Sequence, residues 1–318
     1  MKIVLYDQFP IGDDLVQQVQ DAAPQATVLV ATKERLIQEL ADAEVFYGWH
    51  SPEVFAHAPK LRWIQSTAAG LEKLLTPEIV ARGLTITNAS GIHASAVAET
   101  AWALTLTIGR GLHTYVRQQG PHVWKWTTLY DMFGGTAGII GLGGIGRQFA
   151  RVARAFDMRV IAVDPHPTAK PADVAELWTM DRLPDLLRQS DVVLVSCPYT
   201  PQTHYLIDRD RLALMKPTGI LVNIARGGIV DEAALADALR AGRLAGSGLD
   251  VTEVEPLPAD SPLWDAPNLV LSPHCGGVSS HRVRKLIEFF CDNLRRYQAG
   301  QPLLNLVDQG KGYPIPKG

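Results

Sequence analysis

Three ionisable residues stand where apolar runs stop: Arg226 after GILVNIA, Glu255 after LAGSGLDV, and His274 after LVLSP. An arginine can grip a carboxylate with two parallel hydrogen bonds and polarise the carbonyl beside it. A histidine can give a proton to an alkoxide as it forms and take it back in the reverse direction. A carboxylate paired with the imidazole stabilises its charged form and orients the ring. Glu255 is preferred to Glu253 for that pairing, because Pro256 restricts its backbone and ends the loop there. Each of the three has a plain structural reading on its own: a helix anchor, a solvated acid in TEVEPLPAD, a satisfied buried histidine. Together at three strand ends they point to carbonyl reduction, since ligands of open α/β sheets bind beyond the carboxyl ends of the strands.

The stretch LSPHCGG raises rival chemistries. Neighbouring residues on an extended strand face opposite ways, so His274 and Cys275 are not expected to share a metal ion. Cys275 is expected to face the packing side as a small, inert hydrophobe. Gly276 and Gly277 let the chain turn closely past a ligand. Cys197, Cys275 and Cys291 are odd in number and form no CxxC pair, which predicts neither a disulfide framework nor a structural zinc site. No metal is expected, and a reducing, cytoplasmic setting fits best.

A second site signal is GIIGLGGIGR, with Gly141, Gly143 and Gly146 in GxGxxG spacing and Gly144 and Ile145 between them. The first glycine permits a tight turn, the second admits a pyrophosphate to the backbone, and the third lets helix and strand pack closely. Free N–H groups at the start of the following helix face the phosphates. RVIAVD then ends in Asp164, 23 residues after Gly141, where an acid holds the adenosine ribose hydroxyls. A carboxylate there repels a 2′-phosphate and favours NAD. His166 and Lys170 follow closely and keep NADP possible if Asp164 points away.

The elements that carry these residues alternate along the chain. KIVLY, ATVLVA, EVFYGW, LRWIQS and LTITNA read as strands, separated by helical segments at 13–23, 33–43 and 71–82. A long helical stretch, about 96–120, is apolar on more than one face and is expected to pack between domains or on another subunit. A polar connection containing Trp124 and Trp126 leads to TAGIIG, RVIAVD, DVVLVS, GILVNIA, LAGSGLDV and LVLSPH. The two tryptophans read as packing groups, one of them able to border the substrate. The strands are almost continuously apolar, as in a parallel sheet covered on both faces. A last helix is expected over 281–300. Strands joined by helices of this length pair in parallel through right-handed crossovers.

The composition excludes several classes. Across 318 residues, 30 basic groups face 33 acidic ones, a net charge of −3 that gives no reason to expect nucleic acid or an anionic membrane. With 47% hydrophobic and 20% charged residues the chain is neither disordered nor fibrous. MKIVLYDQFPIGDD reads as a first strand rather than a signal peptide, and no 18-residue apolar run is present to span a bilayer.

The stretches GIIGLGGIGR, SCPYTPQTHYLI, VNIARGGIVDEAAL, GLDVTEVEPLP and LSPHCGGVS, in this order, resemble the D-isomer-specific 2-hydroxyacid dehydrogenases, which include phosphoglycerate dehydrogenase and the glyoxylate/hydroxypyruvate reductases. The resemblance implies an α/β chain of two doubly wound parallel-sheet domains. One is a flavodoxin-like substrate domain, 1–97 plus 287–318; the other is a Rossmann NAD-binding domain, 98–286. It implies hydride transfer from NAD(P)H to a small 2-oxo acid, giving the D-2-hydroxy acid, with Arg226, Glu255 and His274 as the catalytic set. Asp250 is implied to hold the nicotinamide carboxamide, beside His274, with Cys197, Pro198, Thr203, Ile224, Ala225, Gly276 and Gly277 lining the cofactor cleft. Ala68, Ala69 and Gly70, after LRWIQS, correspond to the substrate-carboxylate loop, joined there by Arg226. Free backbone N–H groups are expected in that loop because LEKLL reads as a helix start. A homodimer formed through the cofactor domain and closure over the substrate are also implied.

Two positions qualify the resemblance. Thr252 stands where many relatives carry an aromatic residue, a difference expected to touch packing. The similar formate dehydrogenases carry glutamine in place of Glu255, which disfavours formate oxidation. A non-enzymatic, NAD-responsive corepressor-like binding protein is the alternative, disfavoured because the chain carries no long partner-binding tail.

Overall fold

The computed structural model describes residues 1–167, 170–310 and, for the backbone alone, 313–314. The chain divides into two compact units, Met1–His93 with Ser279–Gly318, and Ala94–Val278.

In the first unit five strands, β1 (Lys2–Tyr6), β2 (Thr27–Val30), β3 (Val45–Gly48), β4 (Trp63–Ser66) and β5 (Thr85–Thr87), form an all-parallel sheet in the order β2-β1-β3-β4-β5. This is the flavodoxin-like order. Helices α1 (Asp13–Ala22), α2 (Leu36–Leu40) and α3 (Pro77–Ala81) connect the strands. The segments 33–43 and 71–82, expected as longer helices, keep only their central or final turns. In the second case Pro77 disfavours helix at Thr76, whose hydroxyl instead caps α3.

In the second unit, helices α4 (Ala94–Gly109) and α5 (Leu112–Gln119) precede the sheet. The single helix expected over 96–120 breaks at Gly111, whose φ of 65° is left-handed. Seven parallel strands follow: β6 (Thr136–Ile140), β7 (Arg159–Val163), β8 (Glu176–Trp178), β9 (Val192–Val195), β10 (Ile220–Asn223), β11 (Gly246–Leu249) and β12 (Leu269–Leu271). Their order, β12-β11-β10-β9-β6-β7-β8, reverses direction between β6 and β9. That reversal is the switch point at which a doubly wound sheet binds its ligand. Edge strand β8 escapes sequence reading, because three half-buried residues carry no periodic signal. Helices α6 (Gly144–Ala155), α7 (Leu183–Gln189), α8 (Arg209–Leu212) and α9 (Glu232–Arg240) complete this unit.

Helix α10 (Arg282–Gln298) belongs to the first unit, where its Leu286, Ile287, Phe290 and Leu294 join Leu15 and Val19 of α1 in one core. The expected boundaries at 97/98 and 286/287 therefore move to 93/94 and 278/279: α4 goes whole with the β10–β11 face it packs on, and α10 goes whole with α1. Trp124 and Trp126 do not pack within the chain as expected. They are 98% and 87% exposed, because the extended segment that bears them has no covering element. No described helix is long and apolar enough to cross a membrane.

Candidate active site

The glycine loop is shaped by close approach. Gly141, at φ 91°, passes so near Cys197 that a Cβ would lie 2.7 Å from its backbone. A Cβ on Gly146 would meet the Gly141 carbonyl oxygen at 2.5 Å. Gly143 is different: a Cβ there would meet nothing within 4 Å, and no side chain caps the start of α6. Open space before an uncapped helix N-terminus is what a pyrophosphate needs. Gly144 is exposed and Ile145 half-buried on the first turn. The loop fits a nicotinamide dinucleotide.

Asp164 sits just past β7, and its carboxylate serves the loop itself. It accepts the Leu142 N–H and the His166 N–H, each at 2.9 Å. Each oxygen keeps further acceptor capacity for ribose hydroxyls. Ser196 closes the turn from β9 by donating its hydroxyl to the Gly141 carbonyl at 2.7 Å. Cys197 is buried under the loop, which pushes its thiol up to about 12 and keeps it neutral. Pro198 is exposed, and its carbonyl accepts the Thr203 hydroxyl at 2.8 Å, folding the 198–203 turn.

Arg226, Glu255 and His274 follow β10, β11 and β12. Asn223, buried at the end of β10, braces the arginine turn: its amide donates to the Arg226 carbonyl at 2.9 Å, and its oxygen accepts the Ala225 N–H at 3.0 Å. Ile224 and Ala225 are buried, whereas Arg226 is half-buried. His274 Nδ1 lies 2.7 Å from Glu255 Oε2. An ionised carboxylate only accepts, so Nδ1 carries the proton and Nε2 is left to act on a substrate. Glu253 faces elsewhere, its carboxylate accepting the Tyr205 hydroxyl.

A buried carboxylate builds the histidine turn. Asp250 Oδ1 accepts the Ser272 hydroxyl at 2.6 Å and the Cys275 N–H at 3.1 Å, and Oδ2 accepts the Gly276 N–H at 2.8 Å. The His274 N–H donates to the Asp250 carbonyl at 2.8 Å, and His274 adopts φ 51°. Gly276 is required there, because a Cβ would lie 2.6 Å from Asp250 Oδ2. Gly277 follows, half-buried.

The match to known proteins coincides with this geometry. The family model for the NAD-binding domain of D-isomer specific 2-hydroxyacid dehydrogenases matches residues 102–276. A glyoxylate reductase of Thermococcus kodakarensis is 37% identical over 291 residues, covering 87% of this chain and 86% of that protein. A family member from Aeromonas salmonicida superposes with a TM-score of 0.86 at 31% identity, covering 97% and 99% of the two chains. A relative from Xanthobacter autotrophicus, in complex with NADPH and MES, gives 0.83 at 30% identity over 98% and 99%. The chain belongs to the D-isomer-specific 2-hydroxyacid dehydrogenases.

As a member of that family it is an NAD(P)-dependent oxidoreductase that moves a hydride between the cofactor and a small 2-oxo acid. The relatives are enzymes and leave the corepressor-like alternative without support. Sequence reasoning missed three parts of this dehydrogenase's site: the Asn223 brace, the Ser272–Asp250 bond and the use of both Asp250 oxygens within the chain. The signal for Asn223 and Asp250 was a polar residue at the end of an apolar strand. Cys275 corrects the reading made above, for it is exposed rather than packed. Strand β12 stops at Leu271 and His274 turns left-handed, so the alternation of an extended strand no longer applies. Among the described residues, no group of three or more His, Cys, Asp or Glu is placed to hold a metal ion.

The 67–70 loop belongs to the first unit. It follows β4 and leads into a turn, not a helix, so the expected helix start is absent. The Ala68 N–H is taken by the Ser66 hydroxyl at 3.1 Å, and the Ala69 carbonyl accepts the Asn88 amide at 2.6 Å; Ala69 is exposed and Gly70 half-buried. Thr67 and Ala68 line a cavity of about 360 Å³ with Tyr6, Gln8, Trp49 and His50. Arg282, also on its wall, is held by the buried Asp7 carboxylate at 3.1 Å.

Proposed function

We propose that this chain reduces glyoxylate, hydroxypyruvate or a similarly small 2-oxo acid to the D-2-hydroxy acid, with Arg226, Glu255 and His274 as its catalytic set. The observation that carries the reading is the His274–Glu255 pair beside an arginine turn at the ends of three adjacent strands. Reduction adds a hydride to the carbonyl carbon and a proton to its oxygen. The nicotinamide cofactor supplies the hydride when bound. Arg226 grips the substrate carboxylate and polarises the carbonyl. His274 donates its Nε2 proton to the oxygen, and Glu255 stabilises the imidazolium before that transfer. Ala68, Ala69 and Gly70 are assigned to the substrate carboxylate. Gly141, Gly143, Gly144, Ile145, Gly146, Asp164, Cys197, Pro198, Thr203, Ile224, Ala225, Asp250, Gly276 and Gly277 are assigned to the cofactor.

NADH is the proposed donor of choice. Asp164 adds negative charge where a 2′-phosphate would lie, and the Lys170 ammonium is occupied by the Val174 carbonyl at 2.8 Å. The test is NADH and NADPH oxidation over a panel of 2-oxo acids, with chiral analysis of the product. Fastest turnover on the small acids with NADH, giving the D product, supports the reading; no turnover on any acid overturns it.

A second copy of the chain is the proposed partner. Val116, Trp124, Trp126 and Phe133 of the second unit are 64%, 98%, 87% and 66% exposed, large apolar side chains that a second copy would remove from water. Sedimentation should give the mass of a dimer, and Trp124→Ser with Trp126→Ser should shift it towards the monomer. A wild-type monomer contradicts the assignment. The exposed free thiol of Cys275 beside the site suits a reducing, cytoplasmic setting.

A further inference from the structure

The motif VNIARGGIVDE supplies Arg226 to the site, yet its last residue, Glu232, has no part in the proposed reaction. Glu232 is half-buried at the first position of α9, next to the Asp231 cap. Its Oε1 accepts the Glu253 main-chain N–H at 2.5 Å. Glu253 is thus held twice, because its own carboxylate accepts the Tyr205 hydroxyl at 3.1 Å on both oxygens. Between these anchors and His274 runs the short loop whose Thr252 N–H donates to Glu255 Oε1 at 3.2 Å. The other Glu255 oxygen meets His274. On the loop's remaining side Gly227 lies directly against it, with its Cβ position 2.0 Å from the Thr252 carbonyl carbon.

We propose that Glu232 is a positioning residue: by taking the Glu253 N–H it fixes the 252–255 loop, and so sets the Glu255 carboxylate against His274. The inference rests on the proton-donor role proposed for His274. A half-buried acid beside other acids needs a reason to stay, since unpaired charge in such a place destabilises the fold. The titratable groups around it are Asp231, Glu253, Glu255 and Tyr205. Burial pushes the Glu232 carboxyl above its ordinary value, the bond from the Glu253 N–H pulls it down, and the charges of Glu253, Glu255 and Asp231 push it up. The carboxylate keeps its place because a backbone donor needs an acceptor there.

The test compares Glu232→Ala, which removes the acceptor, with Glu232→Gln, which keeps one. Hydrogen–deuterium exchange over residues 248–258 is read beside kcat and KM for NADH and a 2-oxo acid. Glu232→Ala is expected to speed exchange in this segment and to lower kcat about tenfold or more, as small misplacements of catalytic groups do, with KM for NADH near wild type. Glu232→Gln is expected to restore both exchange and kcat to near wild-type values. The inference is overturned if Glu232→Ala leaves exchange and kcat unchanged, or if Glu232→Gln is as damaged as Glu232→Ala. A wild-type chain that reduces no 2-oxo acid would remove the proposed function, while the exchange comparison would still decide whether Glu232 holds the loop.

Discussion

The His274→Ala variant is expected to bind NADH much as the wild type does and to reduce 2-oxo acids with kcat about 10²- to 10⁴-fold lower, the usual contribution of a general acid. Cofactor affinity should survive because the proposed cofactor contacts are spread over the glycine loop and the α6 N-terminus rather than concentrated on one imidazole. The fold should survive as well: the His274 side chain is 47% exposed, and the turn is held through main-chain bonds to Asp250. Fluorescence titration with NADH and a thermal melt would separate these effects. Turnover near wild type would remove His274 from the mechanism.

Gly227→Ala should damage the site from the backbone outward. The new methyl carbon would stand 2.0 Å from the Thr252 carbonyl carbon, 2.1 Å from its oxygen and 2.2 Å from the Glu253 nitrogen. All three are main-chain atoms, so no side chain can swing aside. Either the turn carrying Arg226 or the loop carrying Glu255 must move. A displacement near 1 Å at either is expected to lower kcat/KM by about 10²-fold, and overpacking should destabilise the fold by about 1–3 kcal/mol. Gly242→Ala is the control, since a Cβ there meets nothing within 4 Å and only its left-handed φ of 63° opposes the substitution. It should show backbone strain with unchanged kcat/KM. Equal activity in the two variants would contradict the assignment.

Much of this was legible in the residues themselves. Apolar runs ending in Arg226, Glu255 and His274 marked the strand ends, and the spacing of Gly141, Gly143 and Gly146 marked the switch point, where close approach leaves no alternative to glycine at Gly141 and Gly146. What stayed hidden depends on which partner a polar side chain takes, nearby in sequence for Asn223 and more than twenty residues away for Asp250 and Glu232. Asn223 bracing Arg226, Asp250 organising the histidine turn and Glu232 reaching Glu253 each join residues whose types allow many partners. Cys275 was misread for a related reason. Alternation along a strand holds only while the strand lasts, and the left-handed turn at His274 comes after β12 has ended.

The solvent deuterium isotope effect on single-turnover glyoxylate reduction, with NADH pre-bound to wild type and to His274→Ala, tests the central claim most directly. Reduction moves the His274 Nε2 proton to the substrate oxygen, so the wild-type rate should fall in deuterated water. His274→Ala should run slowly in both solvents and lose that effect. A wild-type rate that is equal in the two solvents, or a variant that keeps both the wild-type rate and its isotope effect, would contradict proton donation by His274.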